Sequence, residues 1–230
     1  MGQRVILGVV PARGGSKSVP RKNLLPLGGG DPLVVRALKS AWASTLLTDV
    51  VVSTDDAEIA GAAISAGGIV VTRPRELATD DAGMVPVLRH AVASRGGPRP
   101  DLVVTLQPCA PFRTGRMIDA TISKVLETGA DSAQTVRDAM YHPYYMSLLD
   151  CDRLVPLYPY GHHYVTRQSC PPVYQPNGAV YVTRYETLLK GKILGEDNRA
   201  VVCDVEESVN IDTPFDVRIA EMLVRAEAAW

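Results

Sequence analysis

Val5-Ile6-Leu7-Gly8-Val9-Val10 runs directly into Pro11-Ala12-Arg13-Gly14-Gly15-Ser16-Lys17-Ser18-Val19-Pro20-Arg21-Lys22-Asn23. The first part is apolar and reads as a short buried strand. Then the character flips. Arg13, Lys17, Arg21 and Lys22 are interleaved with Gly14, Gly15 and Ser16. Glycine lets backbone approach a ligand closely, and successive backbone N–H groups in such a turn make an anion-binding concavity. Flanking cations add charge that a triphosphate could use. Neither GxxxxGK[ST] nor GxGxxG occurs here, so two common phosphate-loop patterns are excluded. A solvated basic turn is the bland alternative. The stretch reads as a strand that ends in a phosphate-binding loop.

Working outward, strands and helices alternate. Pro26 and the glycines at 28–30 make a turn, and Asp31 with Pro32 reads as the start of a helix to residue 45, with Asp31 as N-cap. Leu33, Val34, Ala37, Leu38, Ala41 and Trp42 recur on one helical face. Asp49–Thr54 reads as a strand, 57–66 as a helix that Asp55 or Asp56 could cap, and 69–71 as a strand. Thr79-Asp80-Asp81 offers an N-cap for a helix to Ser94. A buried strand at 101–106, a helix at 114–126 capped by Thr114, and a strand at 130–137 follow. This alternation predicts a parallel sheet covered by helices on both faces. Ligands of such sheets bind beyond the carboxyl ends of the strands, which gathers the loops at 11–23, 54–56 and 107–113 on one edge.

From Met140 the pattern breaks. Residues 140–195 read as an excursion rich in Tyr and Pro, with a strand resuming at 178–183. Its aromatics suggest a contact surface, with an ordered lid as the alternative. A strand at 200–203 and a helix from Thr213 complete the chain. His162 and His163 alternate sides in extended chain, so a surface role is favoured over a metal pair. His142 before Pro143 reads as structural rather than as a general base.

The 230 residues, 46% hydrophobic, suffice for one large α/β domain. A formal net charge of −1 provides no broad basic field for nucleic acid. No apolar run reaches membrane-spanning length, and the N-terminus lacks a signal-peptide pattern. Cys109, Cys151, Cys170 and Cys203 are scattered without CxxC spacing, which fits reduced thiols in a cytoplasmic protein.

Stretches along nearly the whole chain resemble the acylneuraminate cytidylyltransferases, the CMP-sialic acid synthetases and their relatives. They are Ala12–Asn23, Val51–Asp56, Arg73–Ala78, Leu106–Arg113, Arg167 through Pro176–Tyr181, and Glu207–Thr213. The resemblance implies a Rossmann-like nucleotidyltransferase fold (GT-A-like): a three-layer α/β/α sandwich with a mostly parallel sheet and a small dimerisation excursion at about 140–195. It implies CMP transfer from CTP to the anomeric hydroxyl of a sialic-acid-like 2-keto sugar acid, with release of diphosphate, by a cytoplasmic homodimer that engages neither nucleic acid nor membrane. Carried over residue by residue, Arg13, Gly14, Gly15, Ser16, Lys22, Asn23 and Arg73 would bind the nucleotide. Gln107, Arg167, Asn177 and Tyr145 would face the sugar acid. Asp212, beside Asn210, would hold Mg²⁺, and Arg13, Lys22 and Asp212 would be catalytic.

The departures concern the acceptor and the metal. Asn210 stands where the family has Asp, Cys109 and Ala110 replace two hydroxyl residues, and Tyr145 replaces a Lys. Mg²⁺ needs only one or two carboxylates when phosphates complete its shell. Alternatives are a cytidylyltransferase for a Kdo-like acid or a secondary metabolite, and a non-catalytic nucleotide-binding homologue. Asp212 as a plain helix cap is the bland reading of that residue.

Overall fold

The computed structural model describes residues 4–158 and 166–227. The His162–His163 pair lies outside the described residues. The apolar run near the N-terminus forms β1 (Ile6–Pro11), followed by the loop and α1 (Leu33–Trp42). Then come β2 (Asp49–Thr54), α2 (Ala57–Ser65), β3 (Ile69–Thr72), α3 (Met84–Ser94), β4 (Leu102–Thr105), α4 (Gly115–Thr128) and β5 (Ser132–Asp138). A small hairpin, β6 (Ser147–Asp150) and β7 (Arg153–Pro156), precedes β8 (Tyr174–Arg184), α5 (Tyr185–Leu189), β9 (Asn198–Val202) and α6 (Pro214–Glu227).

The main sheet has seven strands in the order β3-β2-β1-β4-β8-β5-β9. β1 pairs in parallel with β2 and β4, β2 with β3, and β5 with β9. Only β8 runs the other way, antiparallel to both β4 and β5. Successive residues of a strand point to opposite faces, and β1 uses both. Ile6 and Val10 pack with α1, α2 and α4, while Leu7 and Val9 pack with Leu88 and Ala91 of α3 and Leu188 of α5. The three-layer sandwich and mostly parallel sheet expected from the alternation are both present.

Several local expectations are corrected. α1 ends at Trp42 rather than residue 45, and Trp42 is 45% exposed rather than packed. Asp31 does not cap α1; Pro32 occupies that position, and the Asp31 carboxylate takes Lys39 instead. α3 starts at Met84 after Gly83, not at Thr79–Asp81. The excursion is shorter than 140–195, because Tyr174–Arg184 is a central strand of the main sheet. Among the described residues, the β6–β7 hairpin is what stands apart.

Two features shape the sheet edge. Between Gln134 and Val136 the β5–β8 register slips, so Asn177–Val180 bulge out of the ladder. Bulges of this kind re-aim side chains near functional sites. Thr135 holds the bulge, its Oγ1 donating to Asn177 Oδ1 at 2.6 Å and accepting from Val180 N at 3.0 Å. The second feature is a small separate core. Leu27 and Leu33 from the segment after β1 bury against Ile211 and Ala220. The three larger side chains, Leu27, Leu33 and Ile211, each contribute about 1.5–3 kcal/mol when fully buried, and the cluster docks the start of α6 beside the loop.

Candidate active site

The loop after β1 is braced by carboxylates from neighbouring strand ends. Gly14 N donates to Asp55 Oδ1 at 3.0 Å. A Cβ on Gly14 would come within 2.6 Å of the Asp56 carboxylate, so this position requires glycine. Asp56 caps α2, accepting from Glu58 N and Ile59 N, and also takes Arg21 at 2.6 Å. Arg21 carries a left-handed φ of 56°, a conformation that costs an L-residue about 1–2 kcal/mol, and its pairs with Asp56 and Glu58 hold it there. Burial raises the Asp56 pKa, but the Arg21 guanidinium and the Ile59 and Glu58 amides outweigh it and keep the carboxyl below its usual range. Thus Arg21 braces the loop. Arg13 pairs with Asp80 at 2.8 Å, and Lys17 reaches the same carboxylate, whose pKa falls under the two cations.

Arg13, Ser16, Lys22 and Asn23, with Pro11, Met84, Gln107, Pro108 and Cys109, wall a cleft of about 170 Å³. Asn23 Nδ2 donates to Arg13 O at 2.8 Å. Lys22 Nζ donates to Ile211 O at 2.8 Å and to Asp212 Oδ1 at 3.0 Å. Gly15 faces open space. Arg73 lies beneath the loop, not in the cleft wall; it is 5% exposed and donates to Ser53 Oγ at 3.2 Å and Ser53 O at 2.7 Å. Burial lowers its pKa from the ordinary value, against the pull of Asp55.

A second cavity of about 550 Å³ adjoins the first, and Gln107 belongs to both walls. Its lining includes Arg137, Gln175, Asn177, Tyr181, Asn210 and Phe215. The Asn177 amide is committed to the protein: Oδ1 to Thr135 and Ala179, Nδ2 to Ser208 Oγ at 2.9 Å. Tyr145 is outside this wall, 51% exposed, with Cys170 Sγ 3.6 Å from its Oη. Arg167 begins a short 3₁₀ turn, Arg167–Ser169.

Asn210 Nδ2 donates to Asp212 Oδ2 at 2.6 Å, while Asn210 Oδ1 is buried without a hydrogen-bond partner. Asp212 does not cap α6. Thr213 and Asp216 do so: Asp216 N donates to Thr213 Oγ1, and Asp216 Oδ2 accepts from the amides of Asp212 and Thr213. Burial raises the Asp216 pKa, but these bonds and the nearby Lys22 bring it below the usual range. Among the described residues, no group of three or more His, Cys, Asp or Glu gathers as a metal cage.

Three contributors escaped the sequence reading. Asp80 lies in a stretch that reads as offering a helix cap, but it pairs with Arg13 and Lys17. Arg113, 4% exposed, donates to Gln107 O at 2.8 Å and Ala179 O at 3.0 Å and so ties the shared wall to the bulge; burial pulls its pKa down to about 10. Its place in Leu106–Arg113 was the available signal. Arg137 gave none, because a charge near a strand end has no periodic signature.

Comparison with known proteins identifies the arrangement. The family described as Cytidylyltransferase matches residues 7–186. The CMP-N,N'-diacetyllegionaminic acid synthase of Legionella pneumophila is 30% identical, over 95% of this chain and 96% of that protein. The N-acylneuraminate cytidylyltransferase of Escherichia coli is 29% identical over 94% of this chain, which spans 51% of that protein. A solved structure of CMP:2-keto-3-deoxy-manno-octonic acid synthetase complexed with CTP superposes with a TM-score of 0.74, at 17% identity, over 97% of this chain and 99% of the other; it shares the fold. The chain belongs to the cytidylyltransferase family.

Proposed function

We propose that the chain transfers CMP from CTP to the anomeric hydroxyl of a nonulosonic acid and releases diphosphate. The observation that carries this reading is the shared wall: Gln107 borders both the cation-lined cleft and the larger cavity. An acceptor in the larger cavity would meet the α-phosphorus at that border. The Legionella pneumophila relative, matched end to end, is named for a CMP-linked acid of this class.

In this reading Arg13, Ser16, Lys22 and Asn23 hold the nucleotide and its phosphates, with Gly14 and Gly15 allowing close approach. Arg13 and Lys22 now pair with exposed carboxylates, and such pairs are worth about 0–1 kcal/mol, so phosphates can replace them. Negative charge grows on the oxygen bridging to diphosphate, and cations fixed at that point lower the barrier. Positioning supplies much of the rest. Gln107 orients the acceptor. Arg73 and Asn177 act through others, bracing Ser53 and the bulge.

Mg²⁺ is the ion of this reading. The local residues fit it: Asn210 Oδ1 is a buried oxygen lacking a partner, and the exposed Asp212 carboxylate adjoins it. Asp212 and Asn210 would hold the ion, with CTP completing a shell that needs few protein carboxylates. Bound Mg²⁺ would neutralise phosphate charge as diphosphate departs.

A homodimer completes the proposal. The 140–158 segment exposes Tyr141, Tyr145, Leu148, Leu149 and Leu154, at 51–70%. A lone hairpin is marginal in water, so an apolar one suits burial against a second copy. That copy would bring Tyr145 and Arg167 toward the other's acceptor cavity. The four free cysteines suit a cytoplasmic setting, and among the described residues no helix is long and apolar enough to cross a membrane.

The test is diphosphate release from CTP with Mg²⁺ and a panel of N-acetylneuraminic acid, N,N'-diacetyllegionaminic acid and Kdo. Release with a nonulosonic acid is expected. CTP binding without release for any acid would favour the non-catalytic reading, and release with Kdo alone would favour the other-acid reading.

A further inference from the structure

Arg137 differs from the other arginines around the clefts. Arg13 and Arg21 each hold a carboxylate, and Arg113, outside the larger cavity's wall, gives Nη1 to two backbone carbonyls and Nε to Ser40 Oγ. Arg137 lies opposite Gln175 across the β5–β8 ladder. The Gln175 amide oxygen, oriented to satisfy both side chains, accepts from Arg137 Nε at 3.1 Å and Nη2 at 3.0 Å. That partner is neutral. Arg137 is also the only cation among the described residues lining the 550 Å³ cavity. The one carboxylate in that lining, Asp216, is engaged at the start of α6. The guanidinium is thus fixed in orientation by an amide, and among the described residues no carboxylate pairs with it.

We infer that Arg137 is a specificity-determining residue that anchors the carboxylate of the acceptor acid. The inference rests on the proposed reaction and deepens it. A guanidinium matches a carboxylate in a two-point, charge-assisted geometry that a point charge does not reproduce. A 2-keto sugar acid carries one anionic group, bonded to the anomeric carbon. Holding that group therefore also orients the hydroxyl that attacks phosphorus. Gln175 sets the guanidinium plane beforehand, which reduces what binding must order. The remaining lining includes Met140, Val205, Phe215 and Ile219, which suits the uncharged remainder of an acylated or deoxygenated sugar.

The test compares wild type, Arg137→Gln and Arg137→Lys on the best acid of the panel and on its C1 carboxamide. Arg137→Gln should raise KM for the acid roughly tenfold or more, the scale of one lost hydrogen bond to a charged group. CTP affinity and thermal midpoint should stay at wild-type values, which confirms folding. The preference for acid over carboxamide should collapse in Arg137→Gln and partly return in Arg137→Lys. Calorimetric binding of the acid reads the same contrast without turnover. Wild-type turnover with an unchanged KM or an intact acid preference in Arg137→Gln overturns this inference alone. A wild-type protein that neither turns over nor binds any acid overturns the reaction reading and the inference together.

Discussion

The cation-lined cleft, proposed as the nucleotide side, and the larger cavity, proposed as the acceptor side, are built differently. On the nucleotide side, each cation of the loop already has a carboxylate: Arg13 and Lys17 share Asp80, Arg21 has Asp56, and Lys22 has Asp212. On the acceptor side, among the described residues, Arg137 has an amide and no carboxylate, Asn210 Oδ1 has no partner, and the neighbouring hairpin exposes apolar side chains to solvent. One side is preorganised within a single chain. The other has polar groups and apolar side chains that the proposed sugar acid, ion and second subunit would engage. The departures from the family pattern, at 109, 110, 145 and 210, lie outside the loop but do not all follow this division: Asn210 lines the larger cavity, while Cys109 belongs to the wall of the cation-lined cleft.

The largest effects should come from the phosphate side. Asp212→Ala should nearly abolish diphosphate release. Arg13→Ala and Lys22→Ala should each lower turnover more than tenfold, since one electrostatic transition-state contact is worth about 2.7–4 kcal/mol. Steady-state rates at saturating CTP check this, and wild-type rates in both loop variants would remove the loop from the mechanism.

Next comes the hairpin. Leu149→Glu with Leu154→Glu should convert the expected homodimer to monomers in sedimentation at micromolar concentration. Turnover should fall with it, while CTP binding persists. A wild-type monomer would show that the acceptor side is complete in one chain.

A smaller effect is expected at the metal. Asn210→Asp adds a charge beside Asp212 and should lower the Mg²⁺ midpoint of diphosphate release; an unmoved midpoint would separate Asn210 from the ion.

The smallest concerns stability. Asp56→Ala removes an N-cap and the Arg21 pair and should cost about 1–2 kcal/mol in urea unfolding. The folded Asp56 pKa lies below the ordinary value of 3.8. Its contribution is therefore full above that value and vanishes as pH falls through the folded pKa. The gap between wild type and Asp56→Ala should close in acid and stay constant from pH 5 to 8; a gap that opens in acid would contradict the geometry.

Much of the fold was legible because hydrophobic period reports burial directly. β2 spans Asp49–Thr54 as read, and Thr114 caps α4 as read. The failures share one cause. An Asp before a helix and an Asp facing a distant cation look alike in sequence: Asp31 reads as a cap and Asp80 lies in a stretch that offers one, yet Lys39 holds the first and Arg13 and Lys17 hold the second. Strand direction was equally hidden. The pattern at 178–183 shows a buried strand, but only the sheet reveals that it runs antiparallel between β4 and β5. On the nucleotide side, the short loop brings Arg13, Ser16, Lys22 and Asn23 together, so their clustering was visible in the chain. Arg137 and Gln175 are far apart in sequence and meet only across the ladder.

The fate of the nucleotide tests the proposed reaction most directly. Wild-type protein, CTP, Mg²⁺ and the best nonulosonic acid can be followed by ³¹P NMR. One diphosphate and one CMP–acid phosphodiester are expected for each CTP consumed, with no signal change when the acid is omitted. Intact CTP in the presence of every acid, or free CMP formed without an acid ester, would contradict it.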